Sequence, residues 1–147
     1  MGRIKRPGVG VAGLLWRPSN DNDDGWELLL GLRIGGLEAG KWGVPGGHVE
    51  YGERPEISLE REIYEECGLQ VGLLDFEAVT NDFMPDDEAH YFTLFFNVNS
   101  WTGDVCLKEP DKCSEWRWFN REEYITLPLA SPIDNLLKET NVYYGVE

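Results

Sequence analysis

The sequence predicts an α+β fold in which helices pack on a mixed β-sheet. Extended segments are predicted both before and after one strong central helix, an order that is typical of this architecture. The chain has 147 residues, of which 41% are hydrophobic and 12% aromatic, and this composition suffices for one domain with its own core. No internal repeat, low-complexity segment or linker interrupts the sequence, so residues 1–147 are predicted to form a single domain.

The N-terminal part is predicted to contain two strands joined by a polar loop. Residues 9–16 are rich in Val and Leu with small residues between them, which favours a buried strand. Residues 17–25 (RPSNDNDDG) contain the residue types that mark a hairpin loop. Residues 26–33 (WELLLGLR) are predicted to form the second strand.

The central part combines glycine-rich stretches with the helix. Residues 35–40 are predicted to be a loop, residues 42–44 a short extended piece, and residues 45–47 (PGG) a turn. Pro55 suits the first turn of a helix, where a missing N–H has no cost, and Gly68 suits the position just past a helix end. The central helix is therefore predicted to lie between these two residues.

The C-terminal half is predicted to contain three strands and a final helix. Residues 73–82 are expected to be a strand, and residues 83–89 (FMPDDEA) a turn. Residues 90–99 (HYFTLFFNVN) give the strongest strand signal in the chain, and residues 115–120 (EWRWFN) add a strand with alternating aromatic side chains. Residues 132–140 (PIDNLLKET) are predicted to form the last helix.

The net charge restricts the classes of partner. Thirteen Lys and Arg residues face 27 Asp and Glu residues, which gives a formal charge of −14. Such an excess repels nucleic acid and anionic membrane surfaces, so neither is expected as a partner. If the substrate is a phosphate, a positive group must be recruited to bind it, and a metal ion is the natural candidate.

Cysteine usage predicts a cytoplasmic protein. The three cysteines are an odd number without CxxC or zinc-ligand spacing, which indicates reduced thiols. The N-terminal residues lack the apolar core of a signal peptide. No apolar run approaches the roughly 18–20 residues that a membrane span needs.

The central helix carries an unusual group of carboxylates. Glu62, Glu65 and Glu66 fall on the arc opposite the apolar face when the segment is wound at about 100° per residue. Like charges at this spacing destabilise a helix, and the two glutamates at its C-terminus also oppose the macrodipole. The spacing alone leaves two interpretations open. One is a solvated acidic face, and the other is an oxygen-ligand site for Mg²⁺ or Mn²⁺ next to Gly46 and Gly47.

Residues 47–69 (GHVEYGERPEISLEREIYEECGL) resemble a known motif, and this resemblance favours the metal site over the solvated acidic face. They match every fixed position of the Nudix box, so the chain resembles a Nudix hydrolase. The resemblance implies the Nudix fold, an α/β/α sandwich, and cleavage of a diphosphate linked to a nucleoside. Flanking segments are similar to the MutT-type nucleoside triphosphate branch, in particular its MutT-homologue-two-like members, at residues 6–11, 29–33, 42–47, 109–113 and 116–118.

The resemblance also implies roles for the acidic residues. Glu62 and Glu66 would be the primary Mg²⁺ ligands, with Mn²⁺ able to substitute, and Glu65 would share metal binding or orient water. The Gly46 carbonyl would complete the metal shell. Some family members use a glutamate from a distant loop as the general base. Glu109 is the first candidate for this role and Glu88 is the second. Glu109 is also a candidate metal ligand.

The remaining expectations concern the substrate. Arg61 and Glu53 match the family's internal ion pair, which holds the loop against the helix, and both are counted among the catalytic residues. Arg33 would contact phosphate. Gly46 and Gly47 would line the substrate site. Aromatic candidates for a base pocket are Trp42, Phe92, Phe96, Trp116 and Trp118, and residues 129–132 (LASP) lack the aromatic residue that similar proteins carry there.

Three functions follow as alternatives. The leading one is Mg²⁺-dependent hydrolysis of a nucleoside triphosphate to a monophosphate and pyrophosphate. The second is hydrolysis of ADP-ribose or another nucleoside diphosphate conjugate, which is suggested by Pro85 sixteen residues after the box. The third is a non-catalytic nucleotide-binding module, although such domains usually lose box glutamates. Relatives are often homodimers, so a homodimer is also expected.

Overall fold

Two sheets form the centre of the molecule in the computed structural model, which describes residues 5–20 and 25–145. The strands are β1 (Gly8–Leu14), β2 (Trp16–Pro18), β3 (Trp26–Arg33), β4 (Trp42–Gly43), β5 (Gly46–His48), β6 (Gln70–Val71), β7 (Leu74–Met84), β8 (Ala89–Val98), β9 (Trp101–Thr102), β10 (Cys113–Asn120) and β11 (Val142–Tyr144). The helices are α1 (Pro55–Cys67), α2 (Arg121–Tyr124) and α3 (Ser131–Leu137). The larger sheet has the order β11-β7-β8-β1-β5, the smaller one has β10-β3-β2 with β4 paired to β3, and β6 pairs with β9.

The larger sheet is mixed and is covered on both faces. Strand β1 runs parallel to β8, while the other pairs in this sheet are antiparallel. Ala12 of β1 packs in a core cluster with Ile133 of α3, whereas Val11 packs with Leu59 and Ile63 of α1. Because alternate residues of β1 are buried on opposite faces, the strand is apolar almost throughout. This arrangement confirms the predicted α+β fold with a mixed sheet between helices.

Helix α1 begins and ends where its sequence signals predict. Pro55 occupies the first turn, and Gly68 adopts the left-handed conformation (φ 73°) at the C-cap, where its amide donates to the Tyr64 carbonyl at 3.0 Å. Leu59, Ile63 and Cys67 form the buried face of the helix. The carboxylates of the opposite arc therefore lie away from this core face.

Residues 45–47 were predicted to be a turn, and this prediction was wrong. Gly46–His48 instead form strand β5, which pairs antiparallel with β1 in the register Gly10↔His48. A Cβ atom at Gly46 would overlap the Val11 carbonyl oxygen. The glycine is thus required for close approach of two strands.

Other boundaries differ by a few residues. The first strand ends at Leu14 because the chain crosses to the smaller sheet, where Trp16 pairs with Leu28. The predicted turn at residues 83–89 narrows to a 3₁₀ turn at Pro85–Asp87. Helix α3 starts at Ser131 and ends at Leu137. Residues 21–24 of the predicted hairpin loop lie outside the described residues, and none of the described helices has the length and apolar character needed to cross a bilayer.

Candidate active site

A cavity of about 420 Å³ lies between the larger sheet, the smaller sheet and α3. Its volume is in the range of small-molecule sites. The charged side chains that line it are Arg33, Glu38, Glu62, Glu66, Glu109 and Lys112. Apolar and aromatic side chains cover other parts of its wall, among them Val11, Met84, Trp116, Ala130 and Ile133. The cavity wall therefore carries both charged and apolar side chains.

Two carboxylates from α1 reach the cavity through a gap that glycines leave open. Glu62 and Glu66 lie one helical turn apart and both line the cavity. The Gly46 amide donates to Glu66 Oε1 at 3.3 Å. A Cβ atom at Gly47 would overlap the Glu62 carboxylate. The two glycines thus allow the helix carboxylates to lie directly against β5.

The electrostatics of this pair favour a cation. Burial raises the pKa of Glu66 well above its ordinary value, and repulsion from Glu62 raises it further. Burial also raises the pKa of Glu62, against the opposing effect of Arg61. Two crowded carboxylates of this kind fit a hard divalent cation, whose positive charge would stabilise their ionised forms.

The number of protein ligands is small. Within residues 5–20 and 25–145, no group of three or more His, Cys, Asp and Glu side chains is arranged to hold a metal ion. Mg²⁺ is commonly held by one or two carboxylates together with waters and substrate phosphates. The Glu62–Glu66 pair beside the backbone of β5 fits this arrangement, in which two carboxylates bind the ion together with waters and phosphates.

Glu65 and Glu109 take different positions. The Glu65 side chain is 46% exposed, forms an ion pair with Arg61 at 3.4 Å, and is absent from the described cavity lining. Glu109 lines the cavity, and its charge contributes to the raised pKa of Glu66. The loop that carries Glu109 is held to the end of α1, since the Lys108 amide donates to the Glu66 carbonyl at 3.3 Å. The structure brings Glu109 together with the carboxylate pair and leaves Glu65 on the outer side.

Arg61 is the centre of an ion-pair network behind the carboxylates. Its Nε and Nη2 atoms each donate to Glu53 at 3.0 Å, and its Nη1 donates to Glu62 at 3.0 Å. Arg61, followed by Ser58, lowers the pKa of Glu53 from its ordinary 4.5 to about 2. The bidentate pair connects the segment before α1 to the helix and fixes the orientation of Glu62.

Two cationic side chains line the cavity. Arg33 and Lys112 both line it, and their segments are joined because the Ile34 amide donates to the Lys112 carbonyl at 3.0 Å. The Arg33 Nε donates to the Leu37 carbonyl at 3.0 Å, which holds the side chain in place. The sequence analysis did not identify Lys112 as a site residue. Its position three residues after Glu109, with which it forms an ion pair at 3.5 Å, could have indicated it.

One of the five aromatic candidates lies at the cavity. Trp116 lines it, and its buried indole Nε1 has no hydrogen-bond partner among the described residues. The other candidates make contacts elsewhere: Trp42 with Phe119, Phe92 with His90, Phe96 with Phe76, and Trp118 with Trp101. His48 and Tyr91 also line the cavity and stack with ring centroids 5.2 Å apart.

Glu38 is a site residue that the sequence analysis missed. Its side chain is 4% exposed and accepts hydrogen bonds from the Ser131 amide at 2.9 Å and the Ser131 hydroxyl at 3.0 Å. Lys41 Nζ lies 3.1 Å from the same carboxylate. Since Ala130 offers no side-chain cap, Glu38 caps α3 from a distant loop and fixes this wall of the cavity.

Replacing Glu38 with Ala is expected to lower the free energy of unfolding by about 1–3 kcal/mol, because the Ser131 amide loses its buried acceptor. Urea denaturation measures the change. Glu139→Ala is a matched control, since Glu139 has the same left-handed backbone (φ 54°) but is exposed. Equal losses in the two variants would contradict the capping role.

Comparisons with known proteins agree with this geometry. The NUDIX domain model matches residues 6–139. A Mycobacterium tuberculosis protein, provisionally named 8-oxo-dGTP diphosphatase 3, is 32% identical over 123 residues, which cover 82% of this chain and 56% of that protein. The chain thus spans little more than half of that relative's length.

Two further matches cover more of the related chain. The nucleoside triphosphatase NudI of Salmonella arizonae is 34% identical over 114 residues, which cover 69% of this chain and 78% of NudI. The crystal structure of a MutT Nudix hydrolase from Burkholderia pseudomallei superposes with a TM-score of 0.68 at 28% identity, covering 78% of this chain and 84% of that one. With the carboxylate pair, the Arg61 network and β5 in place around the cavity, these matches show that the chain belongs to the Nudix hydrolase family, of the MutT type.

Proposed function

We propose that the protein hydrolyses a nucleoside triphosphate to a nucleoside monophosphate and pyrophosphate with the help of a divalent cation. The observation that carries this proposal is that Glu62 and Glu66 face the same cavity as Arg33 and Lys112. A polyphosphate bound there would meet two cationic side chains and a carboxylate pair suited to a metal within one cavity. The names of the relatives, which include a nucleoside triphosphatase, support the same substrate class.

The proposed metal is Mg²⁺, with Mn²⁺ as a substitute. Glu62 and Glu66 would be its principal ligands, the Gly46 carbonyl would complete the protein part of the shell, and Glu65 and Glu109 would have secondary roles. A bound divalent cation neutralises phosphate oxygens and lowers the pKa of a water molecule.

The side chains of the protein position the reaction. Arg33 and Lys112 would bind phosphate oxygens and hold the polyphosphate in line with the carboxylate pair. Glu109, the cavity carboxylate from the loop, is the proposed general base that takes a proton from the attacking water. A bond then forms between the water oxygen and phosphorus while the α–β anhydride bond breaks, and pyrophosphate leaves. Arg61 and Glu53 act behind Glu62 and keep its carboxylate in position.

Replacing Arg33 with Ala is expected to raise KM for the triphosphate by about 10–100-fold, with a smaller effect on kcat, because a charge-assisted contact to phosphate is lost. Steady-state kinetics measure the two constants separately. Arg54→Ala removes the same charge from a side chain that is 83% exposed, and serves as the control. Similar KM values in the two variants would contradict a phosphate contact by Arg33.

Hydrolysis of ADP-ribose is the alternative substrate assignment. Pro85, whose spacing suggested it, begins the 3₁₀ turn between β7 and β8 and is not among the described residues that line the cavity. Proline also favours such turns in any fold. Nucleoside triphosphates are therefore the preferred assignment.

A substrate panel tests the proposal. Ribo- and deoxyribonucleoside triphosphates and ADP-ribose are incubated with the protein and Mg²⁺, and pyrophosphate, phosphate and nucleoside monophosphate are measured. Pyrophosphate and monophosphate in equal amounts from a triphosphate are expected. Preferential cleavage of ADP-ribose, or nucleotide binding without any turnover, would overturn the assignment.

We also propose a cellular location, a class of partner and an oligomeric state for the protein. Three free thiols, at Cys67, Cys106 and Cys113, are compatible with a reducing compartment and support a cytoplasmic location. The acidic chain is proposed to act on small nucleotides rather than on nucleic acid or membranes. A homodimer of single-domain chains is proposed by analogy with relatives, and light scattering of the purified protein tests it.

A further inference from the structure

A buried carboxylate beside the cavity is not used by the proposed chemistry. Asp82, near the end of β7, is 0% exposed. Its Oδ2 accepts hydrogen bonds from the hydroxyls of Thr80 at 2.9 Å and Thr93 at 2.6 Å, and its Oδ1 accepts one from Asn135 Nδ2 at 2.8 Å. Because these three donors satisfy the carboxylate, Asp82 needs no hydrogen-bond partner in the cavity. Any effect of Asp82 on a molecule bound in the cavity must therefore pass through one of the three donors.

Thr93 is the donor that reaches the cavity. It lines the cavity, whereas Thr80, Asp82 and Asn135 are not among the described lining residues. Thr93 pairs with Gly10 across β1 and β8, and a Cβ atom added to Gly10 would lie 3.6 Å from Thr93 Oγ1. Since Gly10 has no side chain and also lines the cavity, no side chain at position 10 separates Thr93 from the cavity.

The hydrogen bond to Asp82 decides what this hydroxyl can do. A threonine hydroxyl has one proton to donate and two lone pairs that accept. The single proton of Thr93 is directed at Asp82, so the oxygen can only accept a hydrogen bond from a molecule in the cavity. Thr93 is 5% exposed, and a buried acceptor of this kind discriminates strongly between ligands that donate to it and ligands that do not.

The surroundings of Thr93 suit a nucleobase. Ala12, Met84 and Ile133 line the cavity and present apolar surface. Arg33 and Lys112, the proposed phosphate contacts, line the same cavity. Resting on the proposed function, we propose that Thr93 determines base specificity by accepting a hydrogen bond from an amino or ring N–H group of the base. Asp82 is a positioning residue: it accepts the hydroxyl proton of Thr93, so that the Thr93 oxygen is left to act as an acceptor toward the base.

The test compares nucleotide pairs that differ by one N–H donor. Suitable pairs are GTP and ITP, and ATP and purine riboside triphosphate. For its preferred base, the wild-type protein is expected to favour the member with the donor by about 10–100-fold in kcat/KM. Thr93→Val keeps the shape of the side chain, removes the acceptor, and is expected to abolish this preference. Thr93→Ser keeps the hydroxyl and is expected to retain the preference.

Thr80→Val is the matched control. Thr80 donates to the same Asp82 oxygen but is not among the described lining residues, so its replacement is expected to lower stability and leave the preference unchanged. Loss of the preference in both variants, or its survival in Thr93→Val, would overturn the inference. If the wild-type protein hydrolyses no triphosphate, the proposed function fails, and the same ratios taken from calorimetric Kd values still test Thr93. Equal Kd values within every pair, or no binding at all, would then overturn the inference as well.

Discussion

Glu66→Gln is expected to lower kcat for nucleoside triphosphate hydrolysis by about 10²–10³-fold. Glu66 faces the cavity beside Glu62, and the amide of Gln removes the charge that a divalent cation requires while keeping the size of the side chain. Steady-state release of pyrophosphate at saturating Mg²⁺ measures the effect. Glu60→Gln removes the same charge from the same helix at a position absent from the described cavity lining, and it is expected to leave kcat unchanged.

Stability distinguishes a functional Glu66 from a structural one. Because the pKa values of Glu62 and Glu66 are raised in the folded protein, their contribution to stability is present below the ordinary value of 4.5 and is lost as pH rises through the raised values. Without metal, Glu66→Gln is therefore expected to unfold at the same or a higher temperature than the wild type at pH 7–8. A lower unfolding temperature in that variant would indicate that Glu66 stabilises the fold instead.

Arg61→Ala is expected to lower kcat by about 10–100-fold, because Glu62 loses the partner that orients it. It is also expected to lower the unfolding temperature, since Glu53 loses both of its contacts to the guanidinium group. Arg61→Lys keeps the charge but not the bidentate geometry, so its activity should fall between those of the wild type and Arg61→Ala. Kinetics and thermal unfolding of the two variants give both quantities.

The pH dependence of stability identifies the Glu53–Arg61 pair. The pKa of Glu53 is lowered to about 2, so the contribution of the pair is present above the ordinary value of 4.5 and is lost as pH falls through about 2. The difference in stability between the wild type and Arg61→Ala should therefore shrink over that interval. In a Glu53→Gln background, Arg61→Ala should have a smaller effect. Effects that simply add would contradict a direct pair.

Local and periodic signals made the central helix and its site predictable. Pro55 and Gly68 gave the ends of α1, and the helical period placed Glu62 and Glu66 on one arc. The paired faces of β1 followed from its apolar sequence. The motif in residues 47–69 then identified the family, because its fixed positions are all present.

Contacts between distant segments were not predictable in this way. The Glu38–Ser131 contact joins residues that are far apart in sequence, and neither residue carries a local signal of it. Strand β5 looked like a turn because glycines favour turns, whereas here they allow close packing of β5 on β1 and against Glu62. Thr93 lies in a strand whose sequence predicts only alternation, and its role depends on Asp82 in the neighbouring strand.

Titration of Mg²⁺ against pyrophosphate release tests the central claim most directly. The purified protein is stripped of divalent cations with a chelator, supplied with the triphosphate that the substrate panel selects, and assayed as Mg²⁺ is added. Turnover is expected to rise from the background rate, to yield monophosphate and pyrophosphate in equal amounts, and to stay near background in Glu66→Gln at every Mg²⁺ concentration. Full turnover in the presence of the chelator, or a Glu66→Gln curve that follows the wild type, would contradict the claim that this carboxylate pair holds a metal for diphosphate cleavage.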